Sequence, residues 1–454
     1  MAVWNSINYT DIRPDRFDAE YFQPLYRINL KELKSTSGCI QLGELFAVID
    51  RGEKAEYVAS GTIPVLRSVN IRELSFNDQR QEFVSKEYFD KKAKGQVKKG
   101  DILITSTGTG TLGRTSIWYR EDDAFNVPEN SFLRGPYEVN PYFVAAYLNT
   151  KYGVLQLFQN QRGSSGQLHL YPIDIKRVLI PEFLFAYQEE IGAYLTQAFE
   201  LREQSQSLYR QAEELLSKEL QLDKITLSAP KWYTAGYCEI VKDSRFDGEY
   251  FSPVVKNILS QSFLDSNYTI GKIFNIVRGS TPKSYQKEGI PVIKTRNVRT
   301  PDIDRKRIND YSSAQYTTVL TQEDDLVIAA MGVGSLGRLS YITAENSCCT
   351  IDGTLRIFRK KDDSIENIEI PTMLFLSSEI GQRLIYRGVV GSTGIISVTD
   401  DYLANIPIPL VEESLRKQLT ELVKKSIQAQ SDSMKLLTQA KNRIEELIEQ
   451  KAGK

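Results

Sequence analysis

Gly108-Thr109-Gly110-Thr111-Leu112-Gly113 has the spacing of a dinucleotide-binding fingerprint, and Gly108 to Thr115 nearly completes a phosphate loop, with Arg114 where lysine belongs. Either chemistry needs a helix to open at the loop, so that its N-terminus and free amides meet the phosphate. The loop runs instead into Thr115-Ser116-Ile117-Trp118-Tyr119, a β-branched and aromatic run that reads as a strand. Arginine also replaces a compact ammonium with a planar fork. Nucleotide binding is therefore disfavoured. A strand–turn–strand loop carrying Thr, Ser and a terminal Arg fits better and suits contact with a DNA backbone or base edges. A glycine-kinked hairpin without a ligand stays open beside it.

Other chemistry fares worse. Asn140-Pro141-Tyr142-Phe143 is similar to the Asn-Pro-Pro-aromatic motif of amino-methyltransferases, but its second proline is missing and no S-adenosylmethionine-binding glycine signature accompanies it. A helix cap, with Asn as N-cap and Pro in the first turn, explains it better. Nuclease chemistry needs paired carboxylates and a lysine around a divalent metal. Asp122-Asp123, Asp324-Asp325 and Asp362-Asp363 fall at turns or strand edges without matched partners and read as solvated charges. His169 is the only histidine, which excludes histidine-rich metal sites. Cys39, Cys238, Cys348 and Cys349 show neither metal spacing nor a disulfide framework, as in a reducing cytoplasm. No catalytic residue and no metal site is expected.

The glycine loop occurs twice, and so does nearly everything around it, at an offset of about 228 residues. Arg16-Phe17-Asp18-Ala19-Glu20-Tyr21-Phe22 returns as Arg245-Phe246-Asp247-Gly248-Glu249-Tyr250-Phe251. Asp101-Ile102-Leu103-Ile104 before Gly108–Arg114 returns as Asp325-Leu326-Val327-Ile328 before Gly332-Val333-Gly334-Ser335-Leu336-Gly337-Arg338. Gly163-Ser164-Ser165-Gly166 returns as Gly391-Ser392-Thr393-Gly394. One site per half is the natural expectation.

Each half reads as a strand-rich α+β domain followed by a long polar helix. Ile40–Val48, Ile63–Ser68, Ile102–Thr107, Thr115–Tyr119 and Ser131–Arg134 read as strands. Tyr142–Phe158 and Pro371–Tyr386 read as matching helices. From Ile191, apolar or small residues recur at alternating steps of three and four: Tyr194, Ala198, Leu201, Ser205, Leu208, Ala212 and Leu215. The same frame gives Leu419, Leu422, Ser426, Ala429, Ser433, Leu436 and Ala440. That is coiled-coil patterning, and its small residues allow two helices to approach closely. The domains are placed at 1–186 and 224–411, with long helices in 187–223 and 412–454.

Charge and hydropathy set bounds. The formal net charge of −1 excludes a uniformly basic protein but allows a basic face. Neither a membrane-length apolar run nor a signal peptide is present in the sequence. Polar and basic residues of the presumed loops recur in both halves. In the first they are Arg51, Arg67, Ser68, Asn70, Arg72, Thr107, Thr109, Arg114, Arg162, Ser164, Ser165 and Gln167. In the second they are Arg278, Ser280, Thr281, Lys283, Lys294, Thr295, Arg296, Asn297, Arg299, Arg338, Arg387, Ser392 and Thr393. Arg and Lys neutralise phosphates, Arg can grip guanine, and Asn or Gln can grip adenine.

The whole chain resembles a type I restriction-modification specificity subunit. The resemblance rests on the repeated Arg-Phe-Asp-x-Glu-Tyr-Phe start, the Gly-Asp-Ile-Leu-Ile segment leading to Gly-Thr-Leu-Gly-Arg within Gly100–Arg114, and the exits at Leu179–Pro181 and Ile406–Pro409. It implies two target recognition domains at opposite ends of an antiparallel helix pair, related by a pseudo-two-fold axis, each reading half of a bipartite DNA target. It implies no catalysis and no cofactor on this chain. Two methyltransferase subunits would carry S-adenosylmethionine, and two restriction-translocase subunits would use ATP and Mg. Because the loops differ between halves, the target should be asymmetric. Readers on one duplex face want a separation of about one helical turn, roughly 34 Å, or a multiple. A related type IIB specificity chain, another phage-defence methyltransferase complex and a two-module protein-binding scaffold remain alternatives.

Overall fold

The structure is a computed structural model that describes every residue except 1–5, 10–11, 37, 79–80, 164–166, 314–318, 362–364, 392–393 and 454. The acidic pair Asp362-Asp363 lies outside the described residues. The chain forms two compact units. Unit one comprises 1–203 and 430–454, and unit two comprises 204–429. Each unit therefore owns one strand-rich domain and a part of both long helices.

Unit one is built on a four-stranded antiparallel sheet in the order Thr115–Ile117, Ile102–Thr105, Asn130–Pro136, Phe46–Arg51. Alternation decides its two faces. Ile102, Ile104, Ile117 and Leu133 face a core completed by helix Pro141–Leu148. Leu103, Trp118 and Phe132 face the opposite way, onto Leu66 and Ile71. A second sheet contains the parallel pair Ile63–Leu66 and Ala124–Asn126. Unit two repeats the plan: Leu339–Tyr341, Leu326–Ala329, Leu355–Lys360, Phe274–Arg278 form the same sheet in the same order. The parallel pair recurs as Ile290–Ile293 with Thr350–Ile351.

Three local expectations change. The region 40–48 is not one strand. A short helix, Leu42–Leu45, interrupts it, because the Glu44 carboxylate accepts from the Gln41 amide at 3.1 Å and closes a capping box. The two expected helices each break in the middle, into Pro141–Leu148 and Lys151–Gln159, and into Glu369–Ser377 and Glu379–Arg387. Thr150 and Ser378 cause the breaks, since each hydroxyl accepts the amide of Gly153 or Gly381 and caps a new helix. A Cβ at Gly153 would meet the Tyr147 carbonyl oxygen at 2.4 Å, and at Gly381 the Phe375 oxygen at 2.2 Å, so both turns require glycine.

The third change concerns Asp325. It is not a solvated loop charge but 2% exposed. Its carboxylate accepts from Arg359 Nε at 2.9 Å and from the Gln322 amide at 2.7 Å. Asp101 makes the same contacts with Arg134 and the Lys98 amide, both at 2.9 Å. Asp122, Asp123 and Asp324 are exposed, as expected of loop charges.

The repeated opening motif is also a clamp. Arg16 Nε donates to Asp18 at 2.8 Å, Asp18 accepts the Tyr21 amide at 3.0 Å, and the guanidinium lies over the Tyr21 ring. Arg245, Asp247 and Tyr250 repeat all three contacts. Arg16 then donates to the carbonyls ending helix Lys151–Gln159, and Arg245 donates to Val389 just beyond helix Glu379–Arg387. A motif legible as a repeat thus ties the start of each domain to its helical layer.

The long helices run Gln188–Leu220 and Glu413–Lys451. At 1.5 Å per residue they are about 50 and 58 Å long. In unit one the Ser433 hydroxyl donates to the Ala198 carbonyl at 2.6 Å, and Arg443 reaches Glu190 at 3.2 Å. In unit two Ser426 donates to the Ser205 carbonyl at 2.8 Å, while Ala212, Leu216 and Leu220 share a core with Leu419, Val423 and Ile427. Rising numbers on one helix meet falling numbers on the other, so within each unit the pairing is antiparallel. Small residues permit it, as expected.

The seam itself is displaced. Ile191, Ala198, Ala212, Leu419, Ala429 and Ala440 are buried, but Tyr194, Leu201, Leu208, Leu215, Leu422 and Leu436 are only half-buried. The closed positions lie one residue later, at Leu195, Arg202, Leu216, Val423 and Leu437. The domain supplies the reason. It covers the same side of the first helix, where Phe199 stacks on Tyr119 at 4.3 Å and Arg202 donates to the Leu74 carbonyl at 2.7 Å. The buried stripe is therefore wider than a two-helix seam and centred differently. Among the described residues, no helix is long and apolar enough to cross a membrane.

Candidate nucleic-acid interface

The glycine loop joins two antiparallel strands in both units, so no helix opens there to receive a phosphate. Gly108, Gly110 and Gly113 have φ of 113°, 80° and 77°, and Gly332, Gly334 and Gly337 have 106°, 73° and 85°. Side chains with a Cβ rarely adopt these values, which makes the turn a glycine property. Leu112 and Leu336 plug the loops into the core. The hydroxyls of Thr111 and Ser335 turn inward, donating to the carbonyls of Thr107 and Met331, both at 3.2 Å. Arg114 donates to the Gly110 carbonyl at 2.8 Å, and Arg338 makes the same bond to Gly334. The two loops are one device built twice.

Beside each lies the second glycine segment. The Gly108 amide donates to Leu168 and the Leu170 amide to Ser106, at 3.2 and 2.9 Å. The Gly332 amide donates to Ile396 and the Val398 amide to Ala330, at 2.9 and 3.0 Å. The structure thus brings together loops that are far apart along the chain, identically in both units. Ser164, Ser165, Ser392 and Thr393 lie outside the described residues. Thr109 and Gln167 are exposed at this junction, and Thr107 is half-buried with its hydroxyl 3.4 Å from His169 Nδ1.

Several other candidates are occupied by the fold. Asn70 and Asn297 are 1% and 0% exposed. Their side-chain oxygens accept the amides of Arg67 and Lys294, and their amide groups donate to the carbonyls of Asn77 and Asp304. They lock equivalent turns and have no edge to offer a base in this arrangement. Arg162 is held by the buried Asp174 carboxylate at 2.7 and 2.8 Å and by Asp15 at 3.0 Å, which raise its pKa above the usual arginine value. Arg387 lies 4.0 Å above the Tyr250 ring and donates to the Tyr250 carbonyl. Arg51 reaches Leu170 and sits over Tyr171. These three work as internal struts.

The rest face outward with varying freedom. Arg67 pairs with Glu82 at 2.7 Å, and its counterpart Lys294 pairs with Asp310 at 3.0 Å while covering Tyr285. Arg296 pairs with Asp310 as well. The exposed Arg67–Glu82 pair contributes only about 0–1 kcal/mol and leaves Arg67 open to exchange for a phosphate, whereas Lys294 and Asp310 are half-buried. The Thr281 hydroxyl accepts the Gly353 amide at 3.2 Å. Ser68 and Thr295 are half-buried, and Ser280 is exposed. Arg278 and Lys283 are exposed and make no side-chain hydrogen bond or ion pair among the described residues. Arg72 and Arg299 each bend back onto the carbonyl of the preceding residue.

One cluster is electrostatically distinct. Arg299 has its pKa lowered, first by burial and then by the positive charges of Arg338 and Arg307. Arg338 and Arg307 therefore lie close enough to act on Arg299 in unit two, with the Asp304 carboxylate opposing them. Arg307, which no sequence motif singles out, is 53% exposed and 3.1 Å from Asp304. Val333 and Ile395 are likewise absent from the sequence-based set. They occupy the positions of Thr109 and Gln167 and are 67% and 70% exposed. The repeat offset alone would have found both.

Among the described residues, no group of three or more His, Cys, Asp or Glu side chains is placed to hold a metal ion. Cavities of about 250 and 330 Å³ occur in unit two, and neither is lined by glycine-loop residues.

No protein-family model and no curated protein matches the sequence. The chain is similar to solved structures. One is the S subunit of a type I restriction-modification system from M. genitalium, with 15% identity, coverage of 91% of this chain and 95% of that one, and a TM-score of 0.48. Another is the HsdS subunit from Thermoanaerobacter tengcongensis, with 15% identity, coverage of 91% and 96%, and a TM-score of 0.27. The type IIG restriction endonuclease BpuSI is matched over 39% of this chain and 28% of its own, with 15% identity and a TM-score of 0.31.

Proposed function

We propose that this chain is the DNA-recognition subunit of a type I restriction-modification enzyme, working in the cytoplasm without a catalytic site of its own. Unit one reads one half of a bipartite target and unit two reads the other. The two long helices set the spacer and dock two methyltransferase subunits. S-adenosylmethionine belongs to those partners, and ATP and Mg to two restriction subunits where the complex cuts.

The observation that carries this reading is the loop junction built twice. Among the described residues, its backbone hydrogen bonds and the positive-φ glycines of the first loop recur in both units, while its outermost side chains differ. A constant frame with variable tips is what reading two unlike sequences on one polymer demands. Basic groups flank the junction of unit two, as phosphate positioning requires. A two-module protein-binding scaffold is the second reading, favoured by the exposed aliphatic tips Val333 and Ile395.

Footprinting tests the proposal. The purified chain with its methyltransferase should protect two patches of unlike sequence separated by a less protected gap. A single contiguous patch, or none, would overturn the proposal.

A further inference from the structure

The tips of the paired loops differ in kind between the units. Unit one presents Thr109 and Gln167, which carry hydrogen-bonding groups. Unit two presents Val333 and Ile395 at the same backbone positions, each about two-thirds exposed. The bond from the Gly332 amide to the Ile396 carbonyl, with the bridge between Met331 and Ser397, sets Val333 and Ile395 one residue beyond a common backbone pair. Gly332 and Gly334, on either side of Val333, have positive φ, as does Gly391 in the paired segment. In the glycine loop Ser335 bonds inward, while Arg338 donates to the Gly334 carbonyl and stays exposed.

A ligand at this tip therefore meets two aliphatic side chains beside the field that Arg338 shares with Arg299 and Arg307. Duplex DNA offers that combination in one place. The thymine C5 methyl is the apolar feature of the major groove, and phosphates border it on both sides. A protein partner would have to bring both an apolar patch and carboxylates at this spacing, a pairing of apolar and anionic groups that every duplex supplies by default. We propose that Val333 and Ile395 read thymine through its methyl group in the half-site of unit two, whereas unit one reads its half-site by hydrogen bonds. The inference rests on the DNA-recognition reading and adds a base and an atom to it.

The test uses the full chain in complex with its methyltransferase, and synthetic duplexes of its target in which each thymidine is replaced singly by deoxyuridine. The change removes one methyl and leaves every hydrogen-bonding edge intact. Binding should weaken by about fourfold, the worth of one buried methyl, at one or more thymines of one half-site only. Val333→Ser and Ile395→Gln, which remove the methyl groups from both tips, should abolish that discrimination and leave the other half-site unchanged. Both side chains are exposed, so the fold is not at stake. Equal binding of thymine and uracil throughout overturns the inference while leaving DNA recognition intact, as does discrimination that survives both substitutions. Absence of any sequence-specific binding by the unaltered complex overturns both.

Discussion

Asp325→Ala should destabilise unit two by about 3 kcal/mol, and Asp101→Ala should do the same to unit one. Each carboxylate is 2% exposed, accepts a backbone amide at the start of its strand, and takes two donors from one arginine. Removing it leaves a backbone amide without its acceptor and a guanidinium without its counter-charge, although Arg134 keeps the Gln96 carbonyl and Arg359 the Leu320 carbonyl. Breaking a buried pair costs about 3–5 kcal/mol, and the lower end applies because Arg134 and Arg359 stay 21% and 28% exposed. The strand that each aspartate opens leads straight into a glycine loop, so the loss should also blur recognition of one half-site. Urea unfolding measures the size of the effect, and hydrogen exchange shows which unit carries it. A loss below about 1 kcal/mol would put these pairs in the class of exposed ion pairs.

Arg307→Gln combined with Arg338→Gln should weaken duplex binding by tenfold or more at low salt. It should also reduce the slope of log affinity against log salt by about two, roughly 0.9 for each phosphate contact removed. Both side chains are exposed and lie in the field that lowers the pKa of Arg299. Because both lie on the surface, and the Arg307–Asp304 pair is an exposed one, the fold should tolerate the change. Filter binding across a salt series provides both numbers. An unchanged slope would remove these two arginines from the interface and favour the protein-scaffold reading.

The repeat carried most of what was legible in the sequence. It located the glycine loops, showed that strands flank them, and gave the period of both long helices. Three kinds of residue escaped it for one physical reason, that sequence does not say which way a polar side chain points. Asn70 and Asn297 sit in turns, where asparagine is common whether it faces a ligand or its own backbone. Asp325 stands beside the exposed Asp324, yet one is core and the other surface. Arg202 interrupts the apolar pattern at a buried position, because a tertiary contact with the Leu74 carbonyl satisfies it. That contact helps to shift alternate positions of the expected seam by one residue, while Ile191, Ala198, Ser205 and Ala212 are buried as expected. Val333 and Ile395, which the repeat offset marks, were passed over for the opposite reason. A search for polar DNA-reading groups passes over aliphatic ones, although thymine presents an apolar feature to be read.

On this account one chain, through two copies of one loop junction, selects two unlike half-sites at a fixed spacing. Sequencing the methylated bases of the host genome with and without this gene tests that selection most directly. One bipartite, asymmetric motif with a constant spacer should disappear when the gene is removed, while every other methylated motif persists. An unchanged set of motifs, or loss of a single contiguous or palindromic one, would contradict it.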